Sequence, residues 1–311
     1  MFEAFQIGPF IIWTHLVFLL VGLWLSAEFF FRLAQSAGLS LQHFRDHAWW
    51  HLLGALVGGR LFAVIEQYRL YLRADDPWRI LELHDGNFSF LGVAAGIATV
   101  LYLARGTSRT TFLQWLDVLL PATCFGLSFN WLGKFAAGQA YGTPTDMWWG
   151  VTYDAANVRF AIPIHPVQLY YALFYFLLTF VLLIVRKHAK RAGAETLVGI
   201  VLASIATFFL DYFRGDFSIP VFATELDFVV LFLVFLSLGI FTLLAEKQKI
   251  SPRTAIICEI IGTLLCAAYL FIRPWLALDS FELRFSQLLC VLALLASVVY
   301  VVVHRQRHPH L

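Results

Sequence analysis

Charge is scarce in this sequence. Asp, Glu, Lys and Arg make up 14% of the 311 residues, where a soluble domain carries about 25%. So few charges cannot clothe a water-facing surface, which excludes a soluble globular protein. Cysteine is nearly absent as well. Cys124, Cys258, Cys266 and Cys290 have no CxxC spacing and all fall in apolar runs. That excludes a disulfide framework and a zinc site, and leaves four thiols expected to be buried among apolar neighbours. No cofactor or metal is expected. The net charge of +2 gives no pull on nucleic acid. No internal repeat or low-complexity tract interrupts the chain.

What the sequence has in excess is apolar residues, 60% of the total, with a mean hydropathy of +0.76. A membrane span needs about 20 of them in a row. Runs of that kind fall at roughly 9–31, 48–67, 87–104, 112–133, 163–185, 195–213, 226–245, 254–275 and 285–304. The third is short and contains glycine, and the fourth carries Pro121 and Asn130. The composition therefore implies an all-α integral membrane protein, a polytopic helical bundle. The first run is too long, and its flanks too uncharged, for a cleavable signal peptide. It is expected to be retained.

Lys and Arg mark cytoplasmic loops. They are denser on the side that holds Arg186, Lys187, Lys190, Arg191, Lys247, Lys249 and Arg253 than on the side that holds Arg69, Arg73, Arg79, Lys134, Arg159 and Arg214. This places the N-terminus outside and the C-terminus in the cytoplasm. Trp148 and Trp149 then suit the outer interfacial belt.

A charge inside a span costs at least about 2.5–3.5 kcal/mol on insertion scales, so intramembrane ionisable groups point to function or to tight pairing. Arg60 follows two glycines, which permit close approach of a backbone or a headgroup. It either binds a lipid phosphate or holds helices together through an internal ion pair. His165 and Gln168 stand three apart in "PIHPVQLYY", where two prolines preclude a regular helix and fix the turn that starts one. Asp211 and Arg214, in "LDYFR", share a helix face at i and i+3 and can pair. Such a pair either closes a helix end or positions Arg214 for a headgroup. Asp117 and Glu28 read as packing or boundary residues.

Between two greasy runs stands "NWLGKFAAGQAYG", residues 130–142, followed by "TPTDMWWG". Irregular backbone at membrane depth is tolerated only where it lines a cavity or is buried in protein. The stretch therefore reads as the wall of a polar pocket into which Lys134 and Gln139 project. The plainer reading is an outer loop with a snorkelling lysine.

These blocks resemble the prolipoprotein diacylglyceryl transferase family over about residues 8–245. The similarity starts at "IGPFIIW" and continues through "GGRLF" at 58–62. The family signature G-R-x-G-N-F-x-N-G-E-x-x-G falls on residues 130–142, and P-R-H-P-S-Q-L-Y-E falls on 163–171. Gly133, Phe135, Gly138 and Gly142 match the signature. Trp131, Lys134, Ala137 and Gln139 stand where the family has arginine, two asparagines and glutamate. The family's F-H-G-G falls on "FLGV", so Leu91 stands at its histidine. Its R-F-x-x-E-x-x-R falls on "TFFLDYFR", which changes the first arginine to Thr207 and the glutamate to Asp211, and keeps the last as Arg214. Ile164 replaces the arginine before His-Pro.

The resemblance implies about seven family-like spans in a domain at 1–247 and an additional two-span hairpin at 248–311. It implies a bacterial inner-membrane protein that moves diacylglyceryl from phosphatidylglycerol to an acceptor, in the family the cysteine of a secreted lipoprotein precursor. The partners would be an anionic membrane phospholipid and that precursor. His165, Asp211 and Gln139 are the candidate catalytic groups. Arg60, Lys134, Arg214, Gln168 and Tyr141 are the candidate substrate ligands. With so many polar family positions replaced, a silent relative that only binds lipid or a membrane partner is the alternative.

Overall fold

The computed structural model describes residues 4–7, 10–66, 71, 80, 89–103, 109–154, 158–189, 191–218, 220–246, 251–276 and 278–307. Arg69, Arg73, Arg79, Lys190, Lys247 and Lys249, used above for orientation, lie outside the described residues, as do Gly8 and Pro9.

The chain opens with a two-stranded antiparallel ribbon, β1 (Ala4–Ile7) and β2 (Phe10–Trp13). Helices follow: α1 (Thr14–Ser36), α2 (Leu41–Asp46), α3 (Ala48–Glu66), α4 (Phe90–Leu103), α5 (Arg109–Ala136), α6 (Val167–His188) and α7 (Ala194–Leu210). A 3-10 turn at Asp211–Phe213 ends α7. Then come β3 (Pro220–Ala223), α8 (Glu225–Glu246), α9 (Pro252–Ile272), β4 (Phe281–Arg284) and α10 (Phe285–Arg307), with β3 and β4 paired antiparallel. Among the described residues, six helices are long and apolar enough to cross a membrane. The chain is a helical integral membrane protein.

Each expected span lies on one of these helices, with corrections at two starts. The first span begins at Thr14, because residues 10–13 form β2. The fifth begins at Val167, directly after Pro166, since proline fits only the opening of a helix. Pro121 does not divide α5, which runs unbroken from Arg109 to Ala136. The cysteines differ from one another: Cys124 and Cys290 are buried, whereas Cys258 is exposed and Cys266 is half-buried. Apolar side chains on an outward helix face need no protein neighbour when the solvent is lipid.

The chain packs as two compact units. One comprises residues 1–203 with 212–216, the other 204–211 with 217–311. In the first, α1 lies along α5. Gly22 sits against Phe129, Gly133 sits against His15 and Phe18, and the Ser26 hydroxyl donates to the Ala122 carbonyl at 2.6 Å. Phe30, Phe44 and Trp115 fill the space between α1, α2 and α5. Leu178 and Leu182 of α6 close on Cys124 of α5. In the second, Asp227 of α8 gathers the Tyr269 hydroxyl at 2.6 Å and a two-point ion pair from Arg273. That pair fastens the start of α8 to the end of α9.

The closest helix contact joins α3 to α4. Gly54 and Gly58 face Gly96 and Gly92, so each helix presents a G-x-x-x-G edge to the other. A Cβ on Gly58 would strike the Gly92 carbonyl, and one on Gly92 would strike the Gly58 carbonyl. Small residues let backbones meet in this way where lipid offers helices no hydrophobic drive to associate.

Gly96→Val is therefore expected to cost about 1–3 kcal/mol through overpacking, seen as a lowered melting temperature in detergent. Gly262 of α9 has nothing within 4 Å of a built Cβ, so Gly262→Ala should be neutral or slightly stabilising. Equal melting of Gly96→Val and the unsubstituted protein would contradict the α3–α4 contact.

Candidate functional site

The C-terminal end of α5 carries Trp131 and Lys134 one turn apart. Trp131 is buried and stacks flat on Tyr171 of α6, with ring centroids 4.1 Å apart and planes 7° from parallel. Lys134 Nζ lies 4.7 Å from the Trp131 ring centroid, and the Arg214 guanidinium carbon lies 5.9 Å from the same ring. Both cations are within the reach over which an indole holds a positive charge, and tryptophan is the strongest such ring. Lys134 brings its cation to the face of Trp131 because the segment is helical there and the two residues are one turn apart.

The helix then stops. Gly138 adopts φ +67, and Gln139 N–H donates back to the Lys134 carbonyl at 2.9 Å, the ending for which glycine is the favoured residue. A side chain at Gly138 would also crowd Tyr153. Burial pushes the Tyr153 phenol up, so it stays protonated, and it donates to the Phe135 carbonyl at 3.1 Å.

Beyond Gly138 the chain runs between two other segments and is bonded to both. Thr143 N–H donates to the Phe213 carbonyl at 2.8 Å, and His165 N–H donates to the Thr143 carbonyl at 2.9 Å. Gly215 N–H donates to the Tyr141 carbonyl at 2.8 Å, and Thr145 N–H to the Pro163 carbonyl at 3.0 Å. Val151 and Ile164 exchange two bonds of 3.0 Å. Gly142 is needed at this crossing, since a Cβ there would meet the His165 carbonyl and lie 2.9 Å from its Cβ.

Arg214 thus sits in backbone bridged to Gly142, past the 3-10 turn that ends α7. The shared helix face expected for Asp211 and Arg214 does not form. Arg214 instead makes a two-point ion pair with Asp216, Nε to Oδ1 at 3.0 Å and Nη2 to Oδ2 at 2.6 Å, with both side chains about four-fifths buried. Asp211 belongs to the other compact unit, where it accepts a hydrogen bond from the Ser286 hydroxyl.

Gln168 is fully buried, and its Nε2 donates to the Gln139 carbonyl at 2.7 Å. Gln139 enters the site through that carbonyl, while the residue as a whole is exposed. Tyr141 packs edge-on against Phe160. His165 is half-buried. Its Nδ1 lies 3.2 Å from the Tyr170 hydroxyl, and its ring lies edge-on to Phe213. The Trp149 indole N–H donates to the same Tyr170 hydroxyl at 2.6 Å. Burial holds the His165 imidazole below the ordinary histidine value, so it is neutral near pH 7. A neutral ring that donates from Nδ1 to the Tyr170 oxygen leaves the Nε2 lone pair free to accept a proton.

Arg60 lies on α3. It is buried, its Nε donates to the Ile80 carbonyl at 2.7 Å, and its guanidinium lies over the Tyr71 ring. Leu91, at the place of the family's histidine, is 53% exposed on α4. Asp216, Tyr170 and Tyr171 are not among the candidates read from the sequence, and Trp149 was read there only as an interfacial residue. Asp216 was visible two residues after Arg214, but helix spacing drew attention to Asp211. Among the described residues no group of three or more metal-ligating side chains is found.

The arrangement can take an anion. It offers two cations fixed over one indole, one of them oriented by a carboxylate, beside a neutral imidazole able to accept a proton. Comparison with known proteins shows what the chain is similar to. The family profile described as prolipoprotein diacylglyceryl transferase matches residues 3–303. The phosphatidylglycerol–prolipoprotein diacylglyceryl transferase of Pseudoalteromonas atlantica is 29% identical over 68% of this chain and 74% of its own length. The protein of the same name from Photobacterium profundum is 30% identical over 67% of this chain and 78% of its own. That from Idiomarina loihiensis is 28% identical over 56% of this chain, and the match spans 65% of its length.

Asp216→Asn should remove the charge that orients Arg214 and lower stability by about 1.5–3 kcal/mol, the worth of a charged hydrogen bond. Thermal unfolding in detergent reads this directly. An unchanged midpoint would show that the pair carries no weight in the fold.

Proposed function

This chain belongs to the prolipoprotein diacylglyceryl transferase family, and we propose that it transfers diacylglyceryl from phosphatidylglycerol to the cysteine of a lipoprotein precursor in a bacterial inner membrane. The observation that carries the reading is the convergence of Lys134 and Arg214 on Trp131. The names of the relatives supply the donor and the acceptor, and they favour a transferase over a silent lipid binder. The outward N-terminus and the site on the outer face follow from the loop charges.

In this reading the acceptor thiol gives its proton to His165, and the resulting thiolate sulfur attacks the diacylglyceryl carbon that bears the phosphate ester. An S–C bond forms and the C–O bond breaks. Glycerol phosphate leaves with the electron pair. Lys134 and Arg214 stabilise the charge that builds on the leaving phosphate, the kind of contribution that is often the largest in such a site. Asp216 keeps the Arg214 guanidinium in place. Gln168 holds the Gln139 carbonyl, and Tyr141 fixes the wall through its own carbonyl. Arg60 is a candidate headgroup ligand, with its orientation set by Ile80 and Tyr71. Asp211 acts on this scheme only as an anchor of the segment that leads to Arg214.

Lys134→Ala and Arg214→Ala should each reduce transfer by about tenfold to a thousandfold, as loss of one charge-stabilising donor does, while expression is kept. The assay is transfer from radiolabelled phosphatidylglycerol to a lipoprotein signal peptide by purified protein. Undiminished turnover in both variants would sink the assignment.

The pH dependence has a definite sign. The folded-state pKa of His165 lies below 6.5, so the base is lost by protonation as pH falls through that lower value. Its burial likewise costs folding stability below about pH 6.5, where the unfolded chain binds the proton more readily. Turnover should therefore be flat near neutrality and fall on the acid side with a midpoint under 6.5. A turnover profile that His165→Gln leaves in place would remove His165 from the role of base.

A further inference from the structure

A polar cavity lies at the other end of α5, about 25 Å along the helix from Lys134 at 1.5 Å per residue. Its volume is about 180 Å³, and Gln114, Asp117, Arg186, Arg191 and Glu195 are among the residues that line it. A water needs only about 10–15 Å³ by a measure of this kind, so the space admits a small molecule.

The charges around it are unevenly used. Asp117 is fully engaged. Its Oδ2 accepts Gly193 N–H at 2.6 Å, and its Oδ1 accepts Thr196 N–H at 2.8 Å and the Thr196 hydroxyl at 2.7 Å. It thereby caps the first turn of α7 from the neighbouring helix. Glu195, on the same turn, is only 2% exposed, and its Oε1 has no hydrogen-bond partner in the protein. Arg186, in the last turn of α6, donates from Nη2 to the Leu33 carbonyl at 3.4 Å, whereas its Nη1 is buried without a partner. Neither of these two atoms is hydrogen-bonded to the other, although both residues line the one cavity and the guanidinium acts on the carboxyl through space.

A buried carboxyl oxygen and a buried guanidinium nitrogen, each without a hydrogen bond and both facing one cavity, suit a ligand that bears both signs of charge. We propose that this cavity binds a phosphate ester carrying a primary ammonium group, with the phosphate at Arg186 and Arg191 and the ammonium at Glu195. A simple anion would satisfy Arg186 but set like charge against Glu195. A hydroxyl would give Glu195 a hydrogen bond but add no positive charge to that of Arg186, and burying a carboxylate calls for both. A metal cation would find one carboxylate already consumed by the α7 amides and a guanidinium opposite. The ligand is either the headgroup of an ethanolamine phospholipid or free O-phosphoethanolamine. The site is separate from the transfer site and does not depend on that chemistry.

The test is a titration of the delipidated full-length protein with short-chain phosphatidylethanolamine, read by native mass spectrometry. Phosphatidylglycerol and N-acetylated phosphatidylethanolamine with the same acyl chains serve as competitors. Phosphatidylethanolamine is expected to bind at least tenfold more tightly than its N-acetylated form and to resist displacement by phosphatidylglycerol. Glu195→Gln should abolish that preference, and Lys134→Ala should not. Competition by O-phosphoethanolamine at a similar concentration would assign the free ester, and its failure would assign the lipid headgroup. Equal binding of the acetylated and unacetylated lipids would overturn the proposal, and the unsubstituted protein alone decides this. No retained phosphatidylethanolamine, the outcome if the cavity holds only water, would overturn it equally.

Discussion

The site depends on backbone hydrogen bonds that join three stretches remote in sequence. Residues 141–145 donate to and accept from 163–165 on one side and 213–215 on the other, with Thr143 bonded in both directions. None of these stretches is regular helix, so their N–H and C=O groups have no partners within their own segment. Leaving such groups buried and unpaired costs roughly 1–3 kcal/mol each. The crossing meets that need, and in doing so it carries Arg214 to Trp131 and His165 to Tyr170. Gly142 and Gly215 are small because backbone passes where their side chains would be. A built Cβ on Gly215 lies 2.5 Å from the Gly142 carbonyl.

Trp131 is the centre of the side-chain arrangement. The family pattern has arginine at this point, and an indole cannot replace its donors. It can collect cations. With Tyr171 stacked beneath it and Lys134 and Arg214 drawn to its ring, positive charge stays at the position although the residue that usually bears it is gone. Arg214 would be repelled by Lys134 without a counter-charge, and Asp216 supplies one at 2.6 Å. The lost histidine at Leu91 is a different case. Nothing on α4 restores an imidazole there, and His165 is the neutral ring the site retains.

The sequence was informative where one physical requirement dominates. Long apolar runs locate the helices because a bilayer tolerates little else, and the proline beside His165 marked the start of α6. Apolar content alone misplaced the start of the first span, since the strand at residues 10–13 is as greasy as the helix after it. The pairing of Asp211 with Arg214 was read from helix periodicity, which fails at a 3-10 turn. Asp216 was hidden for the same reason. The fourfold glycine contact of α3 and α4 needed both helices in register, which no single G-x-x-x-G reveals. The division into compact units at residues 203 and 217 has no mark in composition, whereas the boundary expected at 247 came from the extent of the family resemblance.

The central claim is that a cation pair over an indole replaces the family's usual polar set without loss of reaction. Complementation tests it most directly. The chain would be expressed in a bacterium depleted of its own diacylglyceryl transferase, with lipoprotein maturation followed by gel shift and insertion checked by membrane fractionation. Restored maturation, lost again in the Lys134→Ala Arg214→Ala double variant, is the result this arrangement requires. An inserted, stable protein that leaves the precursor unmodified would contradict it.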